Sequence, residues 1–223
     1  MKCFWVILIS FFCHNLGISQ SKAAYQLFTS KGKAVNYDKL LTKALKVDFI
    51  CFGELHNNPI AHWLELEMAK DLYASKTKIL VLGVEMIESD NQTALDSFLV
   101  GTMDDMTFDS SVRLWPNYAT DYEPLVLWAK ENQVHVIASN IPRRYASMVY
   151  KKGLIALDSL QDYEKKWMMP LPIEIDYNLK IYKEMMEMMP DHQSPNFPAA
   201  QAVKDATMAW NSVARLNAQS RIF

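Results

Sequence analysis

The sequence predicts an α/β fold: a mostly parallel sheet flanked by helices, with a helical lid subdomain in the C-terminal half. Three observations predict it. Val47 to Phe52, Ile79 to Gly83 and Val134 to Ala138 are short apolar runs rich in β-branched residues, apolar on both parities, as strands covered on both faces require. Longer amphipathic stretches alternate with them, and strand, helix, strand, helix is the order of a parallel sheet with crossover helices. Half of the residues are hydrophobic and 22% are charged, so a large core is available and disordered or coiled-coil classes are excluded.

The elements follow in order. Met1 and Lys2 give a short positive start, Cys3 to Phe12 are almost wholly apolar, and Gly17-Ile18-Ser19 places small residues at a peptidase site. A signal peptide is expected over residues 1–19, with cleavage before Gln20 and an exported, periplasmic or envelope-associated product. His14 and Asn15 interrupt the run short of the roughly 20 apolar residues of a membrane span. A lipid anchor through Cys13 is disfavoured because Phe11 and Phe12 stand where small residues belong. Cleavage leaves one cysteine, Cys51, in an apolar run where a buried small side chain is expected. An internal disulfide is then excluded, so packing must supply the stability.

One domain is expected over residues 20–223: a core at 47–157, a lid at 158–198, and a closing helix and strand start at 199–223. Tyr25 to Lys33 reads as an edge hairpin. Asn58 caps and Pro59 opens a helix to about Ser75; Ser89 or Asp90 starts another to about Val100; Glu123 to Asn132 makes a third. Asp176 to Met189 and Ala199 to Gln219 also read as helices, and Trp167–Pro172 and Pro190–Pro198 are broken by proline. The net charge of −2 and a pI near 6.2 give no general attraction for nucleic acid, which is not an expected partner.

The chemistry gathers where strands end, the place where open α/β sheets bind ligands. Gly53-Glu54-Leu55-His56 follows the first strand, Gly83-Val84-Glu85 the second, and Ser139-Asn140-Ile141-Pro142-Arg143-Arg144 the third. Glu54, His56 and Glu85 form a plausible acid/base or divalent-metal set. Each also has a structural role open to it: Glu54 accepting loop hydrogen bonds, His56 orienting the next helix, Glu85 pairing with Arg143, and Asn140 capping the helix behind Pro142. Met168, Met169, Met185, Met186, Met188 and Met189 gather in one segment; apolar packing is the commoner use of such a cluster, and Cu(I) binding the alternative.

GELHNNP, GVEM, WPNY-x3-YEPL, SNIPRR and AQAVKDATMAWN resemble the ChaN-type haem-binding uptake proteins of the Tiki superfamily, over about Asp48–Gly153 and Ala200–Asn211. The resemblance implies an exported α/β protein of a haem uptake route, not an enzyme, with haem iron on a tyrosine. It also implies histidine and lysine side chains on the propionates, a haem-linked homodimer, and outer-membrane uptake machinery as a further partner. Tyr145, one turn from its helix start and nearer the strand ends, is preferred as ligand over Tyr150, which shares a packing face with Ala146 and Val149, and over Tyr122. His56, Asn140, Arg143 and Arg144 complete the expected haem-binding set. The superfamily also contains metal-dependent peptidases and an esterase branch, so a hydrolase built on Glu54, His56 and Glu85 is the alternative.

Two departures stand out: Lys204 occupies a position where the family tends to have arginine, and Arg221-Ile222-Phe223 reads as the beginning of a strand that family members continue into a histidine-bearing loop. A truncation is therefore expected, bearing on both metal hydrolysis and full propionate binding. Loss of the remaining strand is expected to leave an aggregation-prone edge and weak haem binding, which a family-like ending restores.

Overall fold

The computed structural model describes residues 23–188 and 194–223. The expected signal peptide and Met189 lie outside the described residues. β1 (Leu27–Phe28) and β2 (Ala34–Val35) form a small antiparallel ribbon, Leu27 opposite Val35. It corresponds to the expected edge hairpin, displaced slightly along the chain, and pairs with no strand of the main sheet. α1 (Tyr37–Ala44) starts on Asn36, whose side chain accepts from the Lys39 N–H. α2 (Pro59–Ala74) begins as the sequence predicts: the Asn58 side-chain oxygen accepts from the Ile60 and Ala61 N–H groups at 3.0 and 3.2 Å, and Pro59 needs no donor partner there.

β3 (Ile79–Glu88) is twice the predicted length. Glu85 therefore lies within a strand rather than in a loop after one, where the pairing with the next strand shifts register between Val84 and Glu88. The expected helix start at Ser89 is a single 3₁₀ turn, followed by α3 (Gln92–Leu99), α4 (Asp105–Ser111) and α5 (Glu123–Glu131). β4 (His135–Asn140) leads into α6 (Arg143–Lys152), which ends on Gly153 at φ 78°, the left-handed stop glycine takes without strain. α7 (Asp162–Lys165), α8 (Lys180–Met188), α9 (Phe197–Val213) and β5 (Ser220–Ile222) complete the described elements.

The main sheet is parallel in the order β4-β3-β5, with Leu82 beside Val136 and Leu80 beside Arg221. The strand expected at Arg221 thus exists and pairs with β3. The strand expected at Val47 to Phe52 does not form: only Phe49 bridges Ile222 in parallel, through Ile50 N–H to Ile222 O at 3.0 Å and Ile222 N–H to Asp48 O at 2.9 Å. The cause is local. β5 offers three residues to pair with, and the carbonyls of Val47 and Leu45 accept from the Arg221 guanidinium at 3.0 and 2.9 Å instead of from a backbone ladder. Cys51, on this uncovered margin, is exposed rather than buried.

The larger core lies between the sheet and helices α2, α3 and α5, around Leu72, Leu82, Ile87, Leu95, Val126 and Val136. A second joins α6, α9 and the segment after α6, with Tyr145, Val149, Leu157, Met168, Met169 and Val203 at its centre. Met168 and Met169 are used in this packing, and Thr207 Oγ1 donates to Met169 Sδ at 3.1 Å. Met185, Met186 and Met188 lie apart on α8, none of them buried. Gly83 lets α9 approach the sheet, because a Cβ there would lie 2.9 Å from Ser212 Oγ. No helix among the described residues is long and apolar enough to cross a membrane.

Candidate functional site

Two of the concave sites are lined in part by α9. The first holds Glu54, which follows the Phe49 bridge, with His56 close behind. Glu54 Oε1 accepts from the Tyr122 hydroxyl at 2.6 Å and lies 3.1 Å from His56 Nδ1. The His56 ring packs edge-on to Trp115, and the His56 carbonyl accepts from Asn117 at 2.5 Å. The WPNY and YEPL segments thus serve to hold the GELH loop. The other oxygen of Glu54 lies 2.7 Å from Nδ1 of His62, a residue of α2, with Glu65 one helical turn further on. A cavity of about 330 Å³ opens beside them, lined by Glu54, Glu65, Glu85, Tyr122 and Asp205 among apolar neighbours such as Phe49, Phe52 and Met208.

So many carboxyl groups in an apolar cavity resist ionisation together. Burial, with the charge of Glu54, pushes Glu65 up to about 8, and burial also raises Glu85 and Asp205. Tyr122 is lifted well above the ordinary phenol range, first by burial and then by its bond to Glu54. The native state therefore binds protons that the unfolded chain releases above about 4.5, so stability is full below that pH and falls as pH rises toward about 8. Each pH unit in that window removes at most about 1.4 kcal/mol per such carboxyl. Thermal melts in a chelator should show Tm falling from pH 5 to pH 8, with a shallower fall in Glu65→Gln; identical slopes would contradict this.

The second site is a groove of about 430 Å³ between α6 and α9. Arg143, Tyr150 and Lys151 line it from α6, Gln201 and Lys204 from α9, and Ala146, Phe197 and Ala200 supply apolar surface. Arg143 and Arg144 stand in the first turn of α6, where the helix dipole disfavours cations. For Arg144 the disfavour is offset by Asp90 at 2.5 Å. Arg144 also lies over the rings of Tyr145 and Trp167, and the Tyr145 hydroxyl accepts from Arg144 and donates to Glu164 at 3.2 and 3.0 Å. Burial raises the Tyr145 phenol too.

The predicted residues thus separate into three groups. Glu54, His56 and Tyr122 share one network, and Glu85 lines the same cavity, its backbone carbonyl accepting from Asn140 at 3.1 Å. Asn140 caps no helix; Pro142 precedes α6 instead. Arg143 and Tyr150 meet in the groove, whereas Arg144 and Tyr145 form a clamp of their own. His62, Glu65, Asp205 and Lys151 did not emerge from the sequence. For the first two a signal existed: His62 and Glu65 stand three apart on a helix that directly follows the GELH loop.

The profile of the haem-binding uptake proteins of the Tiki superfamily, ChaN, matches residues 40–223. The chain belongs to that family of haem-binding uptake proteins. Among solved structures, one of cofacial haem binding to ChaN of Campylobacter jejuni shares its fold at a TM-score of 0.63 and 18% identity, covering 89% of this chain and 77% of that one. No curated protein matches.

Proposed function

We propose that the protein binds haem in the groove between α6 and α9, with the Tyr150 phenol oxygen as iron ligand and Arg143, Lys151 and Lys204 receiving the propionates. The observation that carries this reading is the composition of the groove: a tyrosine, three cations and an apolar surface on two facing helices. That set matches a flat apolar ring with an oxophilic ferric centre and two carboxylates. The carboxylate-lined cavity is the wrong sign for propionates. At Tyr122 and Tyr145, burial and a carboxylate beside the hydroxyl, Glu54 and Glu164 respectively, both disfavour the phenolate that would bind ferric iron. The iron-ligating chemistry belongs to the haem; the chain supplies an oxygen donor, charge and shape.

The protein acts as a carrier in an exported uptake route, consistent with the apolar leader and the family. The groove is open, so a bound porphyrin would leave apolar surface in water that a second haem-loaded chain covers. Haem titration of the purified protein should give a saturable Soret shift at one haem per chain, and sedimentation should show monomers becoming dimers as haem is added. An unchanged free-haem spectrum removes the proposal, and a haem-loaded monomer at micromolar protein removes the dimer.

A further inference from the structure

The carboxylate-lined cavity borders an arrangement that haem binding in the groove does not use. The His62 side chain is 3% exposed, and its Nε2 lies 3.2 Å from the His56 carbonyl. A carbonyl only accepts, so Nε2 is the nitrogen that donates there, which leaves Nδ1 for a second partner. Nδ1 lies 2.7 Å from Glu54 Oε2, and both atoms are buried without a hydrogen bond. A cation held by both would satisfy two buried polar atoms at once. Glu65 Oε2 is 3.9 Å from the same nitrogen, and one ligand atom from each of the three residues falls within 4.8 Å of the others.

We infer that Glu54, His62 and Glu65 bind a divalent first-row transition cation, independent of the haem groove. One imidazole and two carboxylates are a donor set for zinc, iron or manganese, with zinc bound most tightly of these. Tetrahedral bonds of about 2.1 Å put ligand atoms about 3.4 Å apart, a spacing bracketed by the 2.7 and 3.9 Å contacts, so small side-chain shifts suffice. The surroundings are those of a metal site. His62 donates its second nitrogen to a backbone carbonyl, and Glu54 Oε1 is fixed by Tyr122 and His56, leaving Oε2 toward the cation. His56, with a side chain 55% exposed, is thereby a positioning residue rather than a ligand. A fourth coordination position opens into the cavity that Glu54 and Glu65 line.

Zinc titration of the haem-free full chain by calorimetry, with Mn²⁺ as a second probe, tests this. The expected result is one Zn²⁺ per chain, with affinity reduced at least 100-fold by His62→Ala and about 10- to 100-fold by Glu65→Gln or Tyr122→Phe. Tyr150→Phe should leave zinc affinity unchanged, which separates this site from the haem groove. Circular dichroism melts identify any variant that fails to fold. X-ray absorption on the wild-type zinc complex needs no variant, and should show one imidazole with oxygen donors. No stoichiometric zinc binding, a zinc shell without imidazole, or loss on His56→Ala with retention in a folded His62→Ala would overturn the assignment.

Discussion

Replacing Arg221 with methionine should lower stability by about 3 to 5 kcal/mol, the largest loss expected of any single change outside the helical core. Arg221 is 2% exposed, and its Nε, Nη1 and Nη2 donate to the Val47 carbonyl, Thr77 Oγ1 and the Leu45 carbonyl at 3.0, 3.1 and 2.9 Å. Methionine fills much of the volume but leaves two backbone carbonyls in need of partners, at about 1 to 3 kcal/mol for each that water cannot reach, while Thr77 keeps its bond to Ser75. The effect should spread beyond β5. The guanidinium ties the end of α1 and the 47–52 segment to the sheet margin, and that segment leads directly into Glu54. Chemical denaturation should show the loss with an unchanged slope, and thermal melts a drop of roughly 10 °C or more. A loss below about 1 kcal/mol would mean the carbonyls find water, and that the margin is looser than the hydrogen bonds indicate.

The double charge reversal Arg143→Glu with Lys204→Glu should weaken haem binding by more than about 100-fold. A charge-assisted hydrogen bond to a carboxylate contributes roughly 1.5 to 3 kcal/mol, and reversal adds repulsion to its loss. Both residues line the groove from facing helices, so the two changes act on one ligand without touching the second core. Reversing Arg143 should itself improve α6, since glutamate suits a helix start where arginine does not. Stability and haem affinity should therefore move in opposite directions for Arg143→Glu. That pattern distinguishes a binding role from general damage, and a parallel fall in both would point to a structural role for Arg143.

The parts of this molecule legible in its sequence are those fixed by local chemistry. Asn58-Pro59 specifies the start of α2 within one residue, and the apolar runs at 79 and 134 specify two adjacent parallel strands. The run at Val47 reads the same way, yet becomes a strand in name only, because pairing depends on β5, more than 160 residues away, and β5 is short. Cys51 is exposed for the same reason. Convergence of Glu54, His56 and Tyr122 follows from their positions after strands and in the WPNY-YEPL segment. His62 was hidden by its setting: on a helix as apolar as α2, a histidine reads as a core residue, and only the fold reveals that its Nδ1 meets Glu54 Oε2. The choice between Tyr145 and Tyr150 also depends on tertiary partners. Trp167 and Glu164 enclose one tyrosine, while α9 places Lys204 across the groove from the other.

Tyr150 as the donor to haem iron is tested by one spectroscopic comparison: ferric haem complexes of the wild type, Tyr150→Phe and Tyr145→Phe, prepared under identical conditions. The wild type and a folded Tyr145→Phe should both show the phenolate-to-iron charge-transfer band and a high-spin ferric signal, Tyr145→Phe melting lower because its clamp with Arg144 and Glu164 is broken. A folded Tyr150→Phe should lose the band. A band that persists in Tyr150→Phe and disappears in a folded Tyr145→Phe would place the iron at the clamp instead, and contradict the account.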